Sequence, residues 1–254
     1  MLPELPNPMI FAHRGASACA PENTLAAFEL ALRQEADGIE LDAKLSSDGQ
    51  VVVIHDQTVD RTTTYHGRVR DFTAAELRQM DAGSHFDIAF RGEPIPTLDE
   101  VLKAVGQLTF TNIELTNYAS VTDELPEKVA VLVKRHKLSR RVVFSSFNPI
   151  ALFRIRRLIP EAPIGLLTMP GWKGALARTL VSWVLPYQSL HPACEDVTPA
   201  LVKAAHERDQ KVFTYTVNQE QDMQRLFEMG VDGIFTDDPA LALQVVKAAR
   251  GQLQ

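Results

Sequence analysis

Eight strand-like segments alternating with helical ones, in a chain of 254 residues, predict an α/β fold closed as a (β/α)8 barrel of the TIM type. Length agrees, because about 250 residues is typical of one such barrel and leaves little for a second domain. No Gly-rich dinucleotide fingerprint follows any of the strands, which counts against an open, doubly wound sheet. Residues 1–254 are therefore read as one domain, with a small insertion at about 57–96 after the hairpin of the second strand.

The strands are placed near 9–13, 38–43, 108–115, 141–145, 163–168, 188–191, 211–217 and 232–236. A helix over 25–34 follows the first: Asn23 or Thr24 caps it, and Leu25, Phe28 and Leu32 share one face. After the second strand, Ser46-Ser47-Asp48-Gly49 reads as a turn, and β-branched Val51 to Ile54 as a returning arm that ends in His55-Asp56. With a four-residue loop, Leu45 pairs with Gln50 and His55 stands opposite Glu40. Residues 57–96 break the rhythm with Thr, Gly, Asp and Arg, apart from a short helical piece at 74–80. Further amphipathic helices are expected at 98–105, 126–136 and 149–158. Residues 169–187 hold both tryptophans, two basic residues and no acid; a barrel helix packed on its strands is the expected form, and contact with a lipid surface or a greasy substrate tail the alternative.

Chemistry concentrates on the second strand. Side chains alternate faces along a strand, so Glu40 and Asp42 share one surface while Leu41 and Ala43 take the other. Two carboxylates that close resist joint ionisation unless a proton or cation sits between them, and a hard divalent ion with oxygen ligands resolves the repulsion. An isolated pair of this kind is better explained by a wet hairpin face. The other strand ends change that balance. The carboxyl ends of barrel strands carry the active site, and here they gather His13 and Arg14, Glu40 and Asp42, Glu114, Ser145 and Ser146, and Thr216 to Asn218, with His55 returning through the hairpin. Groups so costly to bury do not converge for packing alone.

With these blocks the chain resembles the glycerophosphodiester phosphodiesterase family. His13-Arg14-Gly15 with Pro21-Glu22-Asn23-Thr24 resembles its opening signature, Glu40-Leu41-Asp42 through Asp48-Gly49 to His55-Asp56 its second block, and Arg61-Thr62-Thr63 its third. Ile95-Pro96-Thr97-Leu98, Asn112-Ile113-Glu114-Leu115, Ser145-Ser146-Phe147, Thr216-Val217-Asn218 and Asp232-Gly233-Ile234-Phe235-Thr236-Asp237 continue the likeness in order. The resemblance implies a (β/α)8 barrel in which Glu40, Asp42 and Glu114 hold one divalent ion, Mg2+ or Ca2+, His13 and His55 act as general acid and base, and Arg14 grips the phosphate. It implies hydrolysis of a glycerophosphodiester to sn-glycerol 3-phosphate and an alcohol. One position departs: the family often carries Lys two residues after its third acid, where this chain has Thr116.

Independent chemistry points the same way. Charge that builds on phosphoryl oxygens is stabilised by a metal and a guanidinium, and an alkoxide leaves with a proton from a group such as histidine. Helix capping accounts for Asn23, and Asn218 is read evenly as a ligand contact or a cap. Among the remaining histidines, His191 alone is kept as a pocket wall. A formal charge of −6 and pI near 5.7 exclude a broad basic field for nucleic acid, so the expected partner is a small molecule. Two cysteines support no disulfide framework, no apolar run reaches the roughly 20 residues of a membrane span, and the first residues lack a signal-peptide pattern; a cytoplasmic location is expected. Oligomeric state leaves no mark in the sequence. Two other activities stay open: a phospholipase D-like cleavage of lysophospholipids, and a noncatalytic barrel that binds phosphoesters.

Overall fold

Strands that are apolar on both faces cannot stand at a wet edge, and here they close on one another. The computed structural model describes residues 6–251; Met1 to Leu5, part of the segment read for a signal peptide, lie outside them. In chain order the elements are β1 (Met9–Ala12), α1 (Leu25–Arg33), β2 (Gly38–Leu45), β3 (Val51–Val53), α2 (Ala74–Arg78), α3 (Leu98–Val105), β4 (Phe110–Leu115), α4 (Leu125–Arg135), β5 (Val142–Ser146), α5 (Pro149–Leu158), β6 (Ile164–Thr168), α6 (Trp172–Val184), β7 (Ser189–Pro192), α7 (Pro199–His206), β8 (Lys211–Thr214), α8 (Glu220–Glu228), β9 (Gly233–Thr236) and α9 (Pro239–Gly251). All of these strands but β3 pair in parallel in the order β1-β9-β8-β7-β6-β5-β4-β2, and β1 pairs with β2 to close the ring. This is the expected (β/α)8 barrel.

Alternation along each strand builds two cores. Outward residues such as Ile39, Leu41, Ala43, Ile113 and Phe144 pack beneath the helices. Inward residues Met9, Phe11, Phe110, Val143, Phe213 and Phe235 plug the barrel, with the Phe11 and Phe235 rings stacked at 4.8 Å. In α3, Leu98, Val101, Leu102 and Val105 fall at helical spacing and are all buried. Thr97 and Glu100 close a capping box at its start, which contributes about 1 kcal/mol.

β2 serves two partners along one edge. Gly38 and Ile39 face β1, whereas Ala43 to Leu45 rise above the rim and pair with antiparallel β3. The register of that hairpin differs by one from the sequence expectation: Leu45 stands opposite Val51, not Gln50. The turn takes five residues, because the Gln50 N–H donates to Ser46 Oγ at 3.0 Å and the Ser46 N–H to the Gln50 carbonyl, with Gly49 at φ +72°. Carried further, this ladder would turn His55 to the face opposite Glu40. Its last bond runs from the Ile54 N–H to the Asp42 carbonyl at 3.0 Å, while the Val53 N–H on the other edge meets the Pro96 carbonyl; past Ile54 the chain leaves the ladder and re-aims His55. Residues 57–96 form turns and α2, burying Val59, Val69, Leu77, Met80 and Ile95 against Val52 and Ile54 of the hairpin arm. β8 ends at Thr214, short of the expected Val217, whose N–H instead meets the Phe235 carbonyl at 2.9 Å.

Candidate active site

The parallel register of β2 and β4 sets Glu40 beside Asn112 and Asp42 beside Glu114. Strand alternation points all of them to the barrel axis, and Glu40, Asp42 and Glu114 offer carboxylate oxygens that lie within 4.8 Å of one another. Burial, and then the charges of Asp42 and Glu114, push the Glu40 carboxyl well above the usual range. Burial and Asp42 likewise lift Glu114 to about 8. Glu40 Oε1 is buried without a hydrogen-bond partner, and Glu114 Oε1 accepts from the Tyr118 hydroxyl at 2.6 Å. Three hard oxygen donors, one of them orphaned, fit a divalent cation of the Mg2+ or Ca2+ kind.

Asp42 is held from below. Asn23 donates from Nδ2 to Asp42 Oδ2 at 2.9 Å and accepts the Asp42 backbone N–H at Oδ1. The helix cap is therefore Thr24, whose Oγ1 accepts from the Ala27 N–H, and the capping account of Asn23 is corrected: at φ 58° it faces the acid cluster instead.

Arg14 also sits at φ 58°, followed by Gly15 at φ +85°, where an added Cβ would meet Ala27 atoms at 2.6 Å. This sharp turn brings the Arg14 backbone N–H to Glu40 Oε2 at 2.9 Å and its Nη1 to Glu22 Oε1 at 3.0 Å. Its Nε lies 3.4 Å from Asp42 Oδ2 without hydrogen-bond geometry, so one buried N–H remains for an anion.

Each candidate histidine shares Nδ1 with a carboxylate. His13 Nδ1 is 2.7 Å from Asp237 Oδ1, and Asp237 is itself held by Ser17 Oγ and by Asn218 Nδ2 at 2.6 Å. His55 Nδ1 is 2.7 Å from Asp56 Oδ1. Although partial burial opposes it, hydrogen bonds from Arg61 and His55 hold Asp56 down to about 2. Arg61 continues to Glu22, and Glu22 to Arg14, so a chain of alternating charge ties His55 to the Arg14 guanidinium.

His13, Arg14, Glu40, His55 and Glu114 all line one cavity of about 220 Å3. That is smaller than the roughly 300–1,000 Å3 of clefts for drug-sized ligands, which suits a substrate of few heavy atoms. Phe147, Leu167 and Tyr215 form an apolar wall, and His191 sits at the floor, where burial lowers its imidazole to about 3 and keeps it neutral.

Sequence reasoning missed several partners. Asp237 and Asn218 act as a pair 19 residues apart, which no local spacing reveals. Lys44 was legible: it continues the alternation of Glu40 and Asp42, and its buried Nζ donates to Thr116 Oγ1 at 2.8 Å. A cation thus reaches the position where the resemblance led one to expect lysine, but from the neighbouring strand. Burial lowers the Lys44 pKa, against the pull of Asp42 and Glu114.

Residues 13–241 match the family described as "Glycerophosphoryl diester phosphodiesterase family". A glycerophosphodiester phosphodiesterase of Caldanaerobacter subterraneus subsp. tengcongensis is 41% identical over 244 residues, covering 94% of this chain and 98% of its own length. Among solved structures, an Oleispira antarctica phosphodiesterase in complex with the product sn-glycerol-3-phosphate superposes with a TM-score of 0.86 at 31% identity, covering 95% of this chain and 97% of that one. A glycerophosphodiester phosphodiesterase from Agrobacterium tumefaciens gives 0.79 at 32% identity over 92% and 98% of the two chains.

Proposed function

Since the chain belongs to the glycerophosphoryl diester phosphodiesterase family and hydrolyses glycerophosphodiesters, we propose that His13 and His55 exchange the protons of that reaction and that Glu40, Asp42 and Glu114 would hold a divalent ion. One observation carries this reading: two histidines, each with Nδ1 anchored to its own carboxylate, line the same small cavity as Glu40 and Glu114 of the acid cluster. An anchored Nδ1–H fixes the tautomer and leaves Nε2 as the acceptor of a neutral ring or the donor of a charged one. One ring takes a proton from the attacking water, or from a substrate hydroxyl whose cyclic phosphate water then opens, and the other delivers one to the leaving alkoxide. When bound, Mg2+ or Ca2+ supplies Lewis-acid stabilisation of the phosphoryl oxygens. Arg14 offers its unpaired N–H to the same oxygens, while Glu22 and Asp42 fix its direction. Lys44 adds positive charge beside the cluster. The product is sn-glycerol 3-phosphate, the molecule present in the Oleispira relative.

The test is release of glycerol 3-phosphate from glycerophosphocholine, glycerophosphoethanolamine and lysophosphatidylcholine, each with and without chelator. We expect turnover of the first two that stops with chelator and returns with Mg2+ or Ca2+ added separately. Undiminished turnover after rigorous metal removal overturns the assignment of the three acids.

A further inference from the structure

A barrel helix ordinarily buries its apolar stripe on the strands, and α6 does not. It lies on β6 through Gly174 and partly buried Val181, yet Trp172, Leu176, Leu180, Trp183 and Val184, spaced 0, 4, 8, 11 and 12 along the helix, form one outward row. Trp172 is 73% exposed and Trp183 85%. Met169 extends the row toward the carboxyl end of β6, the end at which Leu167 lines the cavity. α5 packs on the same strand and adds exposed Ile150 and Phe153. Contiguous apolar surface of this kind marks a site of contact.

Charge identifies the contact. From Arg154 to Arg178 the chain carries five cations against Glu161 alone, in a protein whose total charge is −6; Arg157 and Lys173 are exposed, while Arg154, Arg156 and Arg178 are half-buried with Nη1 out of solvent. Among the described residues, Arg154 alone of the five is paired with an acid, Glu127 at 2.6 Å; Arg157 and Lys173 lie over the rings of Phe153 and Trp172. A second copy docking through the same face would set these cations against themselves, because a two-fold contact meets its own patch. An anionic lipid surface matches both features: apolar side chains and tryptophan rings enter the headgroup region, and basic groups meet lipid phosphates. No helix of the described residues is long and apolar enough to cross a membrane, so the contact is peripheral. We propose that the α5–α6 face binds the surface of anionic bilayers, with α6 lying flat on the lipid and the cavity mouth near the headgroups.

The chain's two tryptophans are both on this helix, so their emission reports on it directly. Full-length protein is mixed with vesicles of phosphatidylcholine alone or with phosphatidylglycerol. The expected result is a blue shift and co-sedimentation with the anionic vesicles, weakened by salt. Reversing Arg157 and Lys173 to Glu should lower partitioning at least about tenfold, at roughly fivefold per surface cation. Leu180→Asp should abolish it, with turnover of a soluble glycerophosphodiester unchanged in both variants as the check on folding. Absence of binding to anionic vesicles at low salt overturns the proposal, as does equal binding to neutral ones. A wild-type dimer in ultracentrifugation that Leu180→Asp dissociates, without any vesicle binding, assigns the face to a second copy instead.

Discussion

His13 and His55 reach the cavity by different routes, one from the end of β1 and one from a hairpin arm that has already left its ladder, yet each places Nδ1 2.7 Å from a carboxylate. Geometry of that kind fixes a proton's position more than it holds a fold together. His13→Ala and His55→Ala should each lower kcat by about a hundred- to ten-thousand-fold, with thermal unfolding close to that of the wild type. Asp237→Asn keeps the shape but removes the charge that orients the His13 ring. A fall in kcat with KM little changed, and a displaced limb of the pH profile, is its expected signature. A mild defect at either histidine reassigns that residue, and unfolding of both variants makes their role structural. The proposed acid, base, guanidinium and three carboxylates were legible because they stand at strand ends, where alternation and the barrel's polarity fix their direction. Their partners were less so. His13 and Asp237 are 224 residues apart, and only closure of β1 on β9 brings them together. Asn23 misled for the opposite reason, since an adjacent Thr24 offered the same cap and took it.

At the scale of elements, β2 is the piece on which the site depends. Its lower half completes the barrel and its upper half leaves it, so Glu40 and Asp42 sit where the strand changes partners. The turn was expected as four residues and takes five, because Ser46 spans it with hydrogen bonds to Gln50 that a sequence pattern does not price. Had the ladder continued, that slip would have removed His55 from the site; its end at the Ile54–Asp42 bond makes it harmless. If Asp42 is a metal ligand, metal stabilises the native chain by mass action, roughly 2.7 kcal/mol when free ion stands about 100-fold above its Kd. Asp42→Asn should relieve part of the repulsion in metal-free protein and weaken binding, so the melting shift between chelator and saturating ion should shrink. An equal shift in wild type and variant removes Asp42 from the ligand set.

The whole molecule couples its fold to this charge. A sheet that closes on itself has no edges to defend, and its phenylalanine plug, with Phe11 between Phe213 and Phe235, supports the cavity floor from beneath. Strand order and the helical layer were readable from alternation of segments, but that plug and the outward row on α6 depend on which face the closed barrel turns inward. Into this apolar scaffold the chain sinks carboxyl groups that prefer a proton. Glu114 titrates at about 8 when folded, against an ordinary 4.5, and Glu40 is raised as well. The sign follows: between those values the native state holds protons that the unfolded chain has released, so metal-free stability falls as pH rises from about 4.5 to about 8. Asp56 acts oppositely and lower, its contribution being lost as pH falls from 3.8 through about 2. Divalent ion should flatten or reverse the upper slope, because it takes the proton's place and binds better as the acids ionise. Melting temperatures across this range, with chelator and with Mg2+ or Ca2+, check the pattern. Glu114→Gln separates the cause: it mimics the protonated acid, still accepts from Tyr118, and should melt at least as high as wild type in chelator near neutral pH, with a flatter slope and a smaller metal shift. A metal-free wild type whose stability is level or rises over that window would mean that these carboxyls are ionised in the native barrel without a cation, and the basis for placing one there would be gone.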